Sequence, residues 1–343
     1  MERDKRGRII STRSMETPPT ELLLPIADDS TPPELDFNHT PQQLPTFQEY
    51  LGSLIERQAN IKERSRSSEF ATIDIKTDAP IGLVLSSDWH IGAKGTDYGL
   101  FQRHMQMIQE EPNAYLAALS NTIDGYIWSD GIWEEIEHIE AQMEIARTFG
   151  REWKDKLVAV VGSRCHDWTK AKGGISPQEM AFRENVDEGM PFFSNGGVLN
   201  MRVNGIDNDF ALLHKSRFHS SLNVTNPNKR VHDLRYPAKF IAIGHHHVAS
   251  VEDTYRWEGP YQKELALIRT GTYKIDDSWS QSEGFGHGQK GSPMVVMRHD
   301  SPDYMVFKKM EHGMMVLKML RQHPEFWGEF VEADVVRVEP KVA

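Results

Sequence analysis

Three short apolar runs alternate with two segments of helical periodicity in the first half of the chain. The apolar runs cover residues 81–85, 115–119 and 157–161, and the helical segments cover about 98–110 and 132–149. Continuous apolar runs of this length are typical of strands covered on both faces. The alternation therefore predicts an α/β protein in which these strands share a sheet and the helices pack on it.

After Pro191 the chain becomes rich in short apolar runs typical of strands. They cover 198–203, 210–213, 240–243, 265–268, 294–297 and 304–307. We interpret these runs as a second sheet packed against the first. The predicted fold class is therefore α/β, a two-sheet β-sandwich flanked by helices, within a domain that spans 71–308.

The segments on either side of this domain differ from it. Residues 1–45 contain seven of the eighteen prolines and little hydrophobic periodicity, which predicts an extended or disordered arm that could pack on a protein partner. Segment 46–70 carries apolar residues at helical spacing, which predicts a helix ending near Arg64. Residues 309–343 are interpreted as a C-terminal helix followed by an acidic tail.

Composition indicates the cellular compartment to expect and limits the ways in which the chain could bind membranes or nucleic acid. Cys165 is the only cysteine, so an intrachain disulfide is impossible and a reducing, cytoplasmic compartment is expected. No apolar run approaches the length of a membrane span, so we expect no membrane association. The formal net charge of −11 argues against a protein coated all over with nucleic acid, but it is compatible with a local basic groove.

Five pieces of the chain place oxygen- or nitrogen-ligand side chains at or near the end of an apolar run. They are Asp88-Trp89-His90, Asn121-Thr122-Ile123-Asp124, Cys165-His166-Asp167, His214 and Gly244-His245-His246-His247. Taken singly, each has an ordinary explanation as a structural tripeptide, a core histidine or a surface histidine cluster. Their succession at strand ends indicates instead that a sheet gathers hard and borderline ligands around metal ions, a type of site that hydrolyses phosphate esters.

The order of these pieces resembles that of the calcineurin-like metallophosphoesterases. Between about 83 and 248 the chain shows Asp-x-His, a Gly-Asp-x-x-Asp-like segment, a Gly-Asn-His-Asp-like segment, a lone histidine and Gly-His-x-His. The segment Arg269-Thr270-Gly271-Thr272-Tyr273-Lys274 also resembles a strand of members encoded by phages and prophages, so a bacterial or phage-infected host cell is the implied setting. The resemblance implies the four-layer fold of that family with two divalent metal ions at the edge of its β-sandwich. Mn²⁺ is the expected ion, with Fe²⁺, Zn²⁺ and Mg²⁺ as alternatives.

The resemblance also implies a role for each matching residue. The ligands of one ion would be Asp88, His90 and His247. Those of the other would be His214 and His245, with Cys165 either a further ligand or a buried, inert thiol, and Asn121 would be shared between the ions. His166 would protonate the leaving oxygen or stabilise the charged transition state, with Asp167 orienting it, while a metal-activated hydroxide attacks the phosphorus.

Two positions depart from the family pattern. Asn121 stands where the family has the aspartate that bridges both metals, and its neutral oxygen is expected to lower metal affinity. Asp124 could compensate for the lost charge, or it could cap the segment that follows. Cys165 stands where the family has a metal-binding asparagine, and a thiolate there would favour zinc or iron(II) over magnesium. A one-metal or inactive protein therefore stays an open alternative.

A basic run follows the fourth ligand piece. Between residues 215 and 239 lie six cationic side chains and one acid, a local formal charge of +5. Aromatic residues interleave with these cations, which suits single-stranded or frayed nucleic acid, although a solvated charged face is the ordinary alternative. The predicted substrate-binding residues are Lys215, Arg217, Arg235 and Arg164. Alternatively, Arg164 could bind the phosphate of a smaller substrate.

The predicted function is that of a metal-dependent phosphodiesterase or nuclease acting on DNA. One alternative is a phosphomonoesterase that uses the same site on nucleotides or phosphoproteins. A second is a binding protein that keeps the fold, has lost catalysis through the change at Asn121, and recruits partners through its N-terminal arm and C-terminal tail. The sequence leaves the oligomeric state open.

Overall fold

The computed structural model describes residues 46–64, 69–125, 132–163, 165, 170, 174, 176–218, 220, 222–258, 261–284 and 286–327. The chain divides into two units, Met1–Asn60 and Ile61–Ala343. The predictions of a proline-rich arm and of an acidic tail after residue 327 fall outside the described residues. So do three predicted site residues, Arg164, His166 and Asp167.

The described part of the first unit belongs to helix α1, Phe47–Arg64, which begins at a capping box. Thr46 Oγ1 accepts a hydrogen bond from the Glu49 amide at 3.3 Å, and the Glu49 carboxylate accepts one from the Thr46 amide at 2.6 Å. Two amides at the start of the helix, where none has a partner inside it, are thereby satisfied. The apolar residues at helical spacing are exposed, Phe47 by 76% and Leu54 by 60% of their side-chain surface.

The second unit is built from strands and helices in alternation. Its strands are β1 (Phe70–Ile75), β2 (Ile81–Ser86), β3 (Ala114–Ala118), β4 (Leu157–Val161), β5 (Phe192–Phe193), β6 (Gly197–Val203), β7 (Asp209–Leu213), β8 (Phe240–Ile243), β9 (Ser250–Glu258), β10 (Tyr261–Arg269), β11 (Met294–Met297) and β12 (Tyr304–Phe307). Its helices are α2 (Tyr98–Glu110), α3 (Ile139–Glu152), α4 (Pro177–Ala181), α5 (Arg183–Asp187), α6 (Asn226–Leu234), α7 (Ser278–Ser282) and α8 (Met310–Gln322), with short 3-10 helices at Ile132–Glu134 and Pro324–Phe326.

The strands form two six-stranded mixed sheets. The first has the order β12-β11-β2-β3-β4-β5, and the second has the order β1-β6-β7-β8-β10-β9. Strands β2 to β5 are parallel, as are β7, β8 and β10. The carboxyl ends of parallel neighbours meet at one edge of a sheet, so each sheet gathers the residues that follow its parallel strands.

The two sheets pack face to face, with helices on their outer faces. In β2, Leu83 and Leu85 point into an apolar cluster shared with Phe210 and Phe240 of the second sheet. Val84, which alternates with them, points into a cluster that contains residues of α2, α3 and α8. A smaller cluster joins β7, β8 and β10 to α6. Because strand side chains alternate between faces, this arrangement gives four layers, and the predicted α/β two-sheet sandwich flanked by helices is confirmed.

Three details differ from the sequence-based predictions. Strands β11 and β12 join the first sheet, and β1 joins the second, because hydrophobic periodicity identifies a strand without naming its neighbours. Helix α3 begins at Ile139 instead of 132, since His138 is extended and its Nδ1 accepts a hydrogen bond from the Ala141 amide at 3.0 Å. Strands β9 and β10 form a hairpin of nine residues on each side, of which only 265–268 was predicted.

Among the described residues, no helix is both long enough and apolar enough to cross a membrane.

Candidate metal centre

Trp89 anchors the loop that follows β2. Its ring is fully buried and packs edge-on against Phe101 and Phe149, with ring centroids 5.2 and 5.0 Å away, and its Nε1 donates to Ser86 Oγ at 2.8 Å. The residues on either side, Asp88 and His90, are equally buried but contact the loop that follows β8. The Asp-x-His pattern therefore separates a packing residue from two polar residues.

Asp88 and His90 meet His247 in a first group of possible ligands. One ligand atom from each of the three lies within 4.8 Å of the others. Asp88 Oδ1 is 3.4 Å from His247 Nε2 and 3.7 Å from His90 Nε2, and the two imidazole rings are edge-on with centroids 5.4 Å apart. The group consists of a carboxylate and two imidazoles, a donor set suited to Mn²⁺, Fe²⁺ or Zn²⁺.

Cys165, His214 and His245 form a second group, again with one ligand atom from each within 4.8 Å of the others. Cys165 is partly exposed, whereas His214 is 2% exposed. The rings of His214 and His245 are edge-on with centroids 5.1 Å apart. Three chain segments that are distant in sequence thus supply one thiol and two imidazoles.

Asp88 links the two groups. While its Oδ1 faces His247, its Oδ2 accepts a hydrogen bond from the backbone amide of His245 at 2.9 Å. Asn121 also contacts it, because Asn121 Nδ2 donates to Asp88 Oδ1 at 3.1 Å. The structure therefore brings together all the predicted ligands that it describes: Asp88, His90, Asn121, Cys165, His214, His245 and His247.

Two buried atoms at this centre fit a bound cation. Asn121 Oδ1 and His214 Nε2 have no hydrogen-bond partner within the described part of the chain. A buried acceptor without a partner costs about 1–3 kcal/mol, so such atoms call for an explanation. A divalent ion accepting electron pairs from both atoms would remove this cost, and carbonyl oxygens and imidazole nitrogens are suitable donors.

Backbone strain is concentrated at the same place. Of the seven non-glycine residues with positive φ in the described ranges, six belong to the centre: Asp88, His90, Ser120, Asn121, His245 and His247, with φ between 48° and 73°. Such conformations are disfavoured for residues with a Cβ and persist only where the surroundings enforce them. The side chains at alternate positions, such as Asp88 and His90, therefore converge through left-handed turns.

The protonation states at the centre suit a cation. Burial opposes the charge on Asp88, but His214, His247 and His90 outweigh it and hold the pKa of this carboxyl well below its usual range. Burial, reinforced by His214, lowers the pKa of His245 to about 2, and burial also lowers the pKa of His214. Asp88 is thus ionised and His214 and His245 are neutral, which are the forms that bind metals. At His90 burial opposes the charge, but Asp124 outweighs it and raises the pKa of this imidazole.

Asp124 belongs to neither group of possible ligands. It accepts a hydrogen bond from His90 Nδ1 and pairs with Lys274 Nζ at 3.2 Å, while Lys274 also pairs with Asp277 at 3.0 Å. Because Nδ1 of His90 is held by this carboxylate, its Nε2 is left for the centre, an arrangement common among metal-binding histidines. Asp124 thus contacts the centre through His90, and the alternative that it caps the following segment concerns residues outside the described ranges.

Sequence reasoning assigned no role to two buried cations beside the centre. Lys274 is 4% exposed, and Arg269 is 2% exposed and donates from Nη2 to the carbonyl of Gly244 at 3.2 Å. Burial lowers the pKa of Arg269 to about 10, against the opposing pull of Asp88. The one available signal was that both lie in the segment 269–274, which follows an apolar strand and resembles a family motif.

Gly244 owes its identity to close packing at the centre. A Cβ at this position would lie 2.6 Å from Ser87 Oγ and 3.1 Å from Asp88 Oδ2. Any other residue would therefore displace Ser87, whose hydroxyl donates a hydrogen bond to Asp88 Oδ2, since real Cβ atoms do not approach to 2.6 Å. The glycine before the three histidines allows close packing against Ser87 and Asp88.

The predicted substrate-binding residues differ in whether their charges are already paired within the protein. Lys215 and Arg217 follow His214 directly and are exposed. Arg235 is also exposed, but its Nη2 lies 2.7 Å from Glu69 Oε1. Tyr236, one of the aromatic residues that interleave with the cations of the basic run, is 5% exposed and donates from its hydroxyl to the Gly196 carbonyl at 3.3 Å, so it is unavailable for stacking on a base.

No protein-family model and no curated protein sequence matches this chain. Solved structures that resemble it include Vacuolar Protein Sorting 29 from Cryptosporidium parvum, with 12% identity, a TM-score of 0.38 and coverage of 67% of this chain and 97% of that one. A Pseudomonas putida nuclease gives 12% identity and a TM-score of 0.28 over 66% of this chain and 87% of that one. A Saccharomyces cerevisiae protein serine/threonine phosphatase gives 10% identity and a TM-score of 0.32 over 77% of this chain and 89% of that one. At these levels the similarities do not bear on what the chain binds or cleaves, and its chemistry is inferred from its own side chains.

Proposed function

We propose that this chain is a metal-dependent phosphoester hydrolase that acts on DNA. The observation that carries the proposal is the pair of ligand groups, Asp88-His90-His247 and Cys165-His214-His245, each with ligand atoms within 4.8 Å of one another. They lie at the carboxyl ends of strands in two sheets, which is where open α/β folds build sites. Divalent ions bound there, with Mn²⁺ the leading candidate, would polarise a phosphoryl oxygen and make water more acidic.

The chain's own residues have distinct tasks in this proposal. Asp88 supplies the negative charge and, through its two oxygens, contacts one histidine from each group. Asp124 holds His90 by its Nδ1 so that Nε2 stays available. Asn121 offers a neutral oxygen whose orientation is fixed by its amide hydrogen bond to Asp88.

His166 and Asp167 complete the proposal as the proton donor and its orienting partner. Their support is positional, since both follow Cys165 directly, and Cys165 belongs to the second ligand group. A histidine next to a phosphate ester would donate its proton to the leaving oxygen, and an adjacent carboxylate would favour the protonated imidazole. Arg164, on the other side of Cys165, would bind a non-bridging phosphate oxygen.

DNA is proposed as the substrate because two exposed cations lie beside the centre. Lys215 is the residue after the predicted ligand His214, Arg217 is the third residue after it, and both side chains are exposed. Cationic side chains next to a phosphoesterase site would hold the phosphates that flank the one being cleaved, an interaction that weakens with salt. A phosphomonoester has no flanking phosphates, so these side chains would not increase its binding affinity.

One observation favours the alternative of a phosphomonoesterase. Much of the basic run is engaged inside the protein, because Arg235 pairs with Glu69 at 2.7 Å and Lys229 pairs with Glu252 at 2.5 Å. Lys239 likewise donates to the carbonyl of Pro302 at 2.5 Å. These cations add less to a nucleic-acid surface than their number in the sequence suggested.

A direct assay separates these functions. The full chain, loaded with Mn²⁺, is incubated with labelled single-stranded DNA, labelled double-stranded DNA and a chromogenic phosphomonoester, and D88N and H247A serve as variants with impaired ligand groups. Cleavage of DNA that is lost in both variants supports the proposal. Turnover of the phosphomonoester alone favours the alternative, and absence of turnover with bound metal identifies a binding protein.

A further inference from the structure

The two ligand groups differ in one donor, and we propose that this difference determines which metal ion each group binds. The group of Cys165, His214 and His245 is a thiolate site that retains Zn²⁺, whereas the group of Asp88, His90 and His247 takes a harder, exchangeable ion such as Mn²⁺. The inference rests on the proposed function only in that both groups bind cations.

The geometry of the second group fits a small tetrahedral ion. With Zn–S of about 2.3 Å and Zn–N of about 2.0 Å, tetrahedral coordination places the ligand atoms about 3.3–3.6 Å apart. The three ligand atoms already lie within 4.8 Å of one another. Small side-chain rotations would close the remaining gap, and Cys165 has the freedom to make one because it is only partly buried.

His214 supplies the independent sign of a ligand. Its Nδ1 lies 2.9 Å from the carbonyl oxygen of Leu119, and since a carbonyl only accepts, Nδ1 carries the proton. Nε2 therefore holds a lone pair, and this atom has no hydrogen-bond partner within the described residues although the side chain is 2% exposed. A buried lone pair with a fixed tautomer, next to a thiol and a second imidazole, is prepared for a metal.

The donors determine which metal each group prefers. A thiolate is a soft ligand, and a site of one thiolate and two imidazoles favours Zn²⁺ over Mn²⁺ or Mg²⁺. The first group has the Asp88 carboxylate in place of the thiol, so it discriminates less against harder ions.

The chain is well suited to a spectroscopic test because Cys165 is its only cysteine. Metal-free protein is titrated with Co²⁺, a spectroscopic substitute for Zn²⁺ that gives a near-ultraviolet charge-transfer band when a thiolate binds it. We expect this band in the wild type and in H90A, because His90 belongs to the other group alone. We expect its loss in C165N, which places an asparagine where the thiol was and leaves Co²⁺ bound at the first group.

Metal content gives a second readout that does not depend on activity. After exposure to equal Zn²⁺ and Mn²⁺ and dialysis against a weak chelator, the wild type should keep one zinc ion per chain, and C165A, which has no donor atom at this position, should lose it. H214A should lose it as well, while H323A, which removes the exposed histidine that precedes the 3-10 helix Pro324–Phe326, serves as the matched control and should keep it. Circular dichroism of each variant verifies that the fold is retained.

The results separate this inference from the proposed function. Two bound Co²⁺ ions without a thiolate band, a band that survives in C165N, or a failure to bind any metal would each overturn the inference. DNA cleavage together with a missing band would leave the proposed function standing alone. A thiolate band and retained zinc without turnover of any phosphoester would support the inference and remove the function.

Discussion

Asn121 donates a hydrogen bond from Nδ2 to Oδ1 of Asp88 over 3.1 Å. The bond turns the carbonyl oxygen of Asn121 away from Asp88, and this oxygen has no hydrogen-bond partner in the described part of the chain. An aspartate at the same position would face Asp88 with a second carboxylate. The neutral amide therefore lets the metal-free protein keep Asp88 buried and ionised without like-charge repulsion.

Replacing Asn121 by aspartate should have opposite effects with and without metal. In EDTA, N121D should unfold at a lower temperature than the wild type, because two buried carboxylates then lie within hydrogen-bond distance at a cost of about 1–3 kcal/mol. With Mn²⁺ the added charge should bind the ions more tightly, raise the melting temperature further than in the wild type, and increase hydrolysis.

Thermal unfolding with and without Mn²⁺, together with the DNA assay, measures these effects. N121A is the control, since it removes both the donor and the oxygen and should lower stability and activity alike. An N121D protein whose metal affinity and activity equal those of the wild type would show that residue 121 does not contact the ions.

Asp124 should support metal binding through His90. In D124N the amide oxygen can still accept the His90 Nδ1 proton, but it no longer raises the basicity of the ring as a carboxylate does. Loss of such a partner typically weakens metal binding by about 10–100-fold. Titration with Mn²⁺ should show this loss at one of two ions, with the other unchanged, and an equal loss at both would point to a general loss of structure.

Glu135 should make stability depend on pH. Burial, together with the hydrogen bond and charge of Asp124, raises the pKa of Glu135 to about 9, against the opposing charge of Lys274. The folded state therefore binds the proton more tightly than the unfolded chain does. This contribution to stability is complete below the ordinary pKa near 4.5 and is lost as pH rises through about 9.

E135Q mimics the protonated form and should remove this dependence. Gln142, which donates from Nε2 to the Glu135 carboxyl group, can donate equally to the oxygen of the new amide. The melting temperature of E135Q in EDTA should rise relative to the wild type as pH increases from about 5 to 9. E137Q makes the same change at an exposed site two residues away, and a pH dependence shared by both variants would contradict the role of Glu135.

The sequence was sufficient to predict the strands that carry the centre and the convergence of their ends. Runs such as 81–85 and 157–161 are apolar on both faces, so local composition alone identified them as buried strands. Because parallel strands end at a common edge, the polar residues following β2, β3 and β4 had to approach one another. The grouping of Asp88 and His90 with His247, which follows a strand of the other sheet, was implied by the family resemblance.

Other features depended on contacts that no local pattern encodes. Lys274 and Arg269 look like surface residues in the sequence, yet both are buried because Asp124, Asp277 and the Gly244 carbonyl pair with them. The left-handed backbone of the ligand residues is likewise imposed by packing, since local preference opposes it. The engagement of Arg235 by Glu69, 166 residues apart in sequence, reduced a predicted basic groove to the part next to His214.

Lys215 and Arg217 should provide most of the electrostatic contribution to DNA binding. The double variant K215A/R217A should bind single-stranded DNA more weakly, and the slope of log K against log salt should become shallower by about 1.4, since each neutralised phosphate of a single strand contributes about 0.7. R235A should have a smaller effect, because the guanidinium is already paired with Glu69.

The charge-matched control is R147A/R151A, which removes two arginines of α3 that pair with Glu144. Binding measured in Mg²⁺-free buffer containing EDTA keeps cleavage from interfering. If K215A/R217A and R147A/R151A lower the affinity and the salt slope equally, the cations beside His214 have no special access to the substrate, and the phosphomonoesterase alternative gains.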